Sequence, residues 1–251
     1  MSELVNLIAA TQATLARIAI DHSPAVLASS LAAEDMVLTD LILRGALPIG
    51  IFTLDTGRLH PETLALLARV QQTYGYQIKS WQPEPGAVQD YVSQHGLNAF
   101  YDSVELRHEC CRIRKVEPLR RALAGQRAWL TGQRRGQSVT RGELAIEEYD
   151  AAHRMAKFNP LASWSEQNVW DYIHAHHVPY NPLHDQGYRS IGCAPCTRPV
   201  GPGEDVRAGR WWWEQPESKE CGLHVVDGKL VRIKQATEPD PADPHVKPRT
   251  A

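Results

Sequence analysis

The residues of this chain best suited to chemistry are its five cysteines. They fall as an adjacent pair, Cys110-Cys111, a CxxC from Cys193 to Cys196, and a lone Cys221. Four suit a metal or cluster site, which leaves one thiol over. Neighbouring side chains on a helix point about 100° apart, so an adjacent pair reaches two different metals more easily than one. That geometry favours a multi-iron cubane held by Cys110, Cys111, Cys193 and Cys196 over a single four-cysteine zinc. Cys221 lies in Lys219-Glu220-Cys221-Gly222-Leu223-His224, among charged and titratable neighbours. A cation nearby lowers a thiol pKa, and the thiolate is the nucleophile.

Cations accompany both cysteine pairs. Arg112, Arg114 and Lys115 follow the first; Arg198, Arg207 and Arg210 follow the second. Lys115 stands four residues after Cys111, the spacing of one helical face. Arg207 and Arg210 are three apart, which presents both heads together in a helical turn. Together these groups suit a doubly charged anion. Arg120 and Arg121 read as a solvated face, and Trp211-Trp212-Trp213 as packing that anchors the arginine-bearing segment.

Such groups need a scaffold. With 251 residues, 43% hydrophobic content and a net charge of -2, the chain can bury one sizeable core, and it lacks the basic excess of a nucleic-acid binder. The N-terminus has no signal-peptide pattern, and no apolar run reads as a membrane span. The expectation is a cytoplasmic enzyme with reduced thiols, without membrane or nucleic acid as partner. Helical periodicity appears over residues 4–20, 35–44, 61–74 (opened by proline), 109–123 and 166–176. The basic helix 109–123 carries Cys110 and Cys111 at its start. A buried strand is expected at 25–29, and further strands at 48–54, 76–81 and 128–131. This alternation predicts an α/β fold with a doubly wound, mostly parallel sheet. A single domain is expected over residues 1–234, and a disordered, apolar-poor tail over 235–251.

Ligands of such sheets sit at the carboxyl ends of the strands. Three loops fall there. Ser29, Ser30, Glu34 and Asp35 belong to a small hydroxylated loop that suits an anion cradle at a helix N-terminus, though Asp35 suits a plain N-cap equally well. Leu54, Asp55 and Thr56 lie in a polar turn, where Asp55 fits a ribose or its own loop. Gly132, Arg134 and Arg141 belong to a glycine- and arginine-rich loop that fits a nucleotide phosphate or sulfate.

Several motifs together match a known pattern. They are Ser30-Leu31-Ala32-Ala33-Glu34-Asp35, Leu54 to Arg58, Cys110-Cys111-x-x-Arg114-Lys115-x-x-Pro118-Leu119, the arginine loop, Cys193-x-x-Cys196, Asp205-x-Arg207-x-x-Arg210-Trp211-Trp212-Trp213-Glu214, and Lys219 to His224. On these the chain resembles the assimilatory adenylylsulfate reductases, the cluster-bearing branch of the phosphosulfate reductase family, with its adenine-nucleotide alpha-hydrolase-like fold. The match runs in order from 29 to 224, and residues 225–251 extend past forms that end soon after this motif. The resemblance implies a 4Fe-4S cluster on the four cysteines and a mobile catalytic segment at about 215–226. It also implies reduction of adenylylsulfate to sulfite and AMP through an S-sulfocysteine on Cys221, in sulfate assimilation toward cysteine. Reduced thioredoxin or glutaredoxin is the implied donor. Lys115, Arg207 and Arg210 become the sulfate clamp, Arg141 holds the phosphosulfate or ribose side, and His224 steadies the thiolate or the anion. Two rivals remain: a phosphoadenylylsulfate reductase, most of which lack the cluster cysteines, and a non-catalytic nucleotide-binding redox sensor. A homo-oligomer is left open.

Overall fold

In the computed structural model, residues 3–137 and 144–214 are described. Strands β1 (Ala25–Ala28), β2 (Ile49–Leu54) and β4 (Ala128–Leu130) are nearly continuous apolar runs, as strands covered on both faces must be. They form the middle of a six-stranded sheet ordered β3-β2-β1-β4-β6-β5, completed by β3 (Lys79–Trp81), β6 (Met155–Phe158) and β5 (Glu147–Asp150). Every pairing is parallel except that of β5 with β6 at one edge. The expected doubly wound sheet is therefore present. Its chain runs outward from β1 through β2 to β3, then returns to place β4 on the other side of β1. The strand order thus switches between β1 and β4, where a ligand crevice opens.

Among the described residues seven α-helices cover the sheet: α1 (Glu3–Asp21), α2 (Ala33–Arg44), α3 (Pro61–Tyr74), α4 (Pro85–His95), α5 (Val104–Cys111), α6 (Glu117–Leu123) and α7 (Glu166–His176). α3 opens on Pro61 and closes on Gly75, whose φ of 67° is the left-handed turn that ends helices. α7 opens with a capping box between Ser165 and Asn168. Met36, Val37, Leu38 and Ile42 of α2 join Leu27, Leu130 and Phe158 in the core.

The structure departs from expectation in three places. The predicted helix over 109–123 is two helices, α5 and α6, joined by a π turn at Arg112–Val116. Pro118 explains the break. It has no N–H to give Arg114, four residues back, and its ring crowds that carbonyl, so the chain widens by one residue per turn just before it. Cys110 and Cys111 consequently close α5, which is capped by Ser103, whose hydroxyl accepts from Leu106 N, instead of opening a helix. Second, α4, β5 and β6 were not anticipated. Third, α1 is by length and hydropathy alone apolar enough to cross a membrane, contrary to the sequence reading. One face of it nonetheless buries Leu15, Ile18 and Ala19, and Trp164 Nε1 donates to Thr11 Oγ1 on that face.

Candidate active site

At the switch point the loops after β1 and β4 enclose a cavity of about 520 Å³. Asp35 ties the two loops together. Its Oδ2 accepts from Ser30 N and Ser30 Oγ, both at 2.6 Å, and its Oδ1 accepts from Gly132 N at 3.0 Å. Burial pushes its pKa up to about 6, and the bonds from Ser30 and Gly132 oppose that rise. Gly132 is required by this contact, because a Cβ there would stand 2.4 Å from Asp35 Oδ1. Ser29 is buried beside it and accepts from Leu31 N. Leu31 itself takes a φ of 62°, a conformation rare outside glycine. Ala28, Phe52, Leu54 and Trp129 pack together and give the cavity an apolar lining.

Cations line the cavity as well. Lys115, Arg207 and Arg210 all face it, and Arg210 N donates to Arg207 O at 2.8 Å, the shared turn expected from their spacing. Arg210 lies against the backbone at Gly192, where a Cβ would come within 2.6 Å of Nη2. The arginine loop is less free than its composition suggests. Arg134 is gripped by Glu34 through two bonds of 2.8 and 2.9 Å, so two residues expected at the substrate face each other. Arg135 donates to Leu144 O, and Arg58 donates to Leu97 O and Asn98 Oδ1. Thr56 and Leu54 line the cavity, but Asp55 does not. Its carboxylate accepts from Gly57 N and from Gln82. Arg141, Cys221 and His224 lie outside the described residues.

The four remaining cysteines, none of them in a disulfide, gather beside these cations, and Cys193 itself lines the cavity. The turn after β2 holds the CxxC: Leu59 bridges Cys193, Ala194 N donates to Arg58 O at 2.7 Å, and Thr56 Oγ1 lies 3.2 Å from Cys193 Sγ. Burial raises the Cys110 thiol, with Arg114 opposing and Cys193 reinforcing. Burial likewise pushes Cys196 up to about 12, reinforced by Cys193 and Cys111 and opposed by Lys115 and Arg210. The four sulfurs are thus electrostatic neighbours, and the cavity's cations reach them. Phe100 and Trp211 pack against Cys193 and Cys196, and Trp211 Nε1 is buried without a hydrogen-bond partner among the described residues. Sequence reading missed Arg107, fully buried one turn before Cys111; its spacing from that cysteine was the available signal.

Comparison with known proteins places this arrangement. Residues 24–199 match the model of the phosphoadenosine phosphosulfate reductase domain. The chain belongs to this reductase family. An adenosine 5'-phosphosulfate reductase of Burkholderia cepacia is 60% identical over 223 residues, covering 89% of each chain. One from Allochromatium vinosum is 65% identical over 199 residues, covering 79% of this chain and 78% of its own. Among solved structures, the phosphoadenylyl-sulfate reductase of Candida auris in a phosphate complex superposes with a TM-score of 0.66 at 26% identity, over 79% of this chain and 98% of that one. The reductase domain match thus includes both cavity loops, the first cysteine pair and the CxxC.

Proposed function

We propose that this reductase converts adenylylsulfate, which is adenosine 5'-phosphosulfate, to sulfite and AMP in sulfate assimilation. The observation that carries the proposal is that Lys115, Arg207 and Arg210 line the same cavity as the apolar cluster of Ala28, Phe52, Leu54 and Trp129. The adenine lies on the apolar cluster, and the phosphosulfate points to the cations. The Cys221 thiolate attacks the sulfate sulfur. A sulfur–sulfur bond forms, the bond to the bridging oxygen breaks, and AMP departs with that oxygen and its electron pair. The clamp offsets the charge that spreads over the sulfate as this happens. A reduced dithiol protein of the thioredoxin or glutaredoxin kind then attacks Cys221 Sγ, and sulfite leaves with the bonding pair. The donor's second thiol resolves the mixed disulfide and frees Cys221, so the two electrons come from the donor.

Cys110, Cys111, Cys193 and Cys196 would hold a 4Fe-4S cluster, and the residues fit it. Cys110, Cys193 and Cys196 pack with Trp211, whose N–H has no partner among the described residues, and Cys111 is an electrostatic neighbour of Cys196. Among the described residues no three His, Cys, Asp or Glu side chains gather closely enough for a single ion. A cubane asks less, because each thiolate binds its own iron. When bound, the cluster supplies a rigid anchor and a local field for the Lys115 turn. Anaerobic purification with iron and sulfide analysis, followed by sulfite-release assays with a dithiol donor, tests both parts. Absence of iron, or of sulfite from adenylylsulfate, overturns the corresponding one.

A further inference from the structure

Arg107 on α5 is wholly buried. Its guanidinium keeps its charge in a protein, so burial demands matched partners. Glu214 provides them: Arg107 Nε donates to Glu214 Oε1 at 2.8 Å and Nη2 to Oε2 at 2.7 Å, with the carboxylate 4% exposed. The same guanidinium bonds the Cys111 side chain. Its Cζ stands 4.7 Å from the centre of the Trp211 ring, and the Arg210 Cζ also stands 4.7 Å from that ring. Trp211 is 1% exposed, with a φ of 42°. A bulky residue keeps that strained conformation only where its surroundings over-determine it. At Arg210 and Trp211 the strap carrying these residues is tied to the CxxC segment, through the bridge of Thr197 with Arg210 and the bond from Trp211 N to Cys196 O at 3.1 Å.

We infer that Arg107 and Glu214 form a buried latch that fixes the strap over residues 207–214 onto α5, and that Arg107 is a positioning residue for Arg210, acting through the Trp211 ring. This rests on the reading of Arg210 as part of the anion clamp. The latch makes the clamp depend on both cysteine segments: the strap follows Cys196 at Arg210 and Trp211, and at Glu214 it follows the helix of Cys111. A two-point arginine–carboxylate fork fixes orientation as well as distance, which lysine or glutamine cannot reproduce.

The test uses the anaerobically purified, iron-loaded enzyme and two variants, Arg107→Lys and Glu214→Gln, with iron content measured on each. Trypsin cleavage after Arg207 and Arg210, followed by mass spectrometry, reads the strap directly. The expected result in both variants is cleavage faster by about tenfold or more, with iron content unchanged and kcat/KM for adenylylsulfate down about tenfold, kcat falling with it. Arg120→Ala, on an exposed face, should alter neither cleavage nor kcat/KM. Glu214→Gln leaves the Cys111 neighbour in place, so it decides the matter if Arg107→Lys fails to fold. Unchanged cleavage in the folded variant overturns the latch. Faster cleavage with an unchanged kcat/KM leaves the latch standing and overturns the placing of Arg210 in the clamp.

Discussion

The Thr56 hydroxyl lies 3.2 Å from the Cys193 sulfur while Thr56 also lines the nucleotide cavity. One residue of the turn after β2 therefore touches both the substrate space and the cysteine quartet. Hydrogen bonds to ligand sulfurs are among the levers by which a protein tunes an iron–sulfur centre. Thr56→Val keeps the shape and removes the bond. Iron chromophore absorbance, followed in air, should bleach several-fold faster in the variant while nucleotide affinity changes little. Bleaching at the wild-type rate would show that the contact does not act on the centre.

Nucleophile and ligands separate by mutation. Cys221→Ser should keep its iron and bind adenylylsulfate yet make no sulfite, whereas Cys193→Ser should lose iron and, through the structure, activity. Thiol-dependent turnover by Cys221→Ser sinks the mechanism, and a fully loaded, fully active Cys193→Ser protein sinks the ligand set.

The clamp has a graded prediction. Alanine at Lys115, Arg207 or Arg210 should lower kcat/KM by about one to two powers of ten, since a charge-assisted contact is worth roughly 1.5 to 3 kcal/mol. Arg120 is the control, with a side chain 74% exposed. Equal, small losses at all four positions would move the clamp elsewhere.

Much of this was legible in the sequence, for identifiable reasons. α3 and α7 match their expected bounds because Pro61 and Ser165 mark their starts and the apolar spacing between is regular. The hidden elements have weak patterns. α4 buries only Tyr91, so it shows little helical periodicity. β5, Glu-Glu-Tyr-Asp, is a charged edge strand that leaves no apolar run to notice. The split of the basic helix was signalled by Pro118, but a proline in the first turn of a helix and one inside a helix look alike in sequence. At the site, residue types indicated which groups gather, and pairing within the site stayed invisible. Arg134 reads as a substrate cation until Glu34, a hundred residues earlier, is seen to hold it.

Asp35 gives a pH signature. Its folded pKa is about 6 against an ordinary 3.8. Between about pH 4 and 6 the unfolded chain releases this proton while the folded chain keeps it. Stability from this group therefore falls as pH rises through that window, by about 3 kcal/mol, and is level above it. Asp35→Asn carries no such slope. The thermal midpoint of the wild type relative to this variant should decline from pH 4 to 6 and then flatten. A relative midpoint that climbs across the window would contradict the burial of this carboxylate.

Substrate choice follows from how the cavity's charges pair. A 3'-phosphate adds nearly two negative charges and needs cations of its own. The loop at Ser29 to Asp35 presents two carboxylates and no basic residue. Arg134 faces Glu34, Arg135 donates to Leu144 O, and Arg58 donates to Leu97 and Asn98. Adenylylsulfate should therefore be preferred over its 3'-phosphorylated form by at least about tenfold in kcat/KM, or about 1.4 kcal/mol. Glu34→Gln tests the cause. It removes a repelling charge and releases Arg134 toward the cavity, so the 3'-phosphorylated nucleotide should gain relative to adenylylsulfate. The readout is the ratio of kcat/KM for the two nucleotides, in the wild type and the variant. A ratio left unchanged would mean that the Glu34 and Arg134 pair does not set substrate choice.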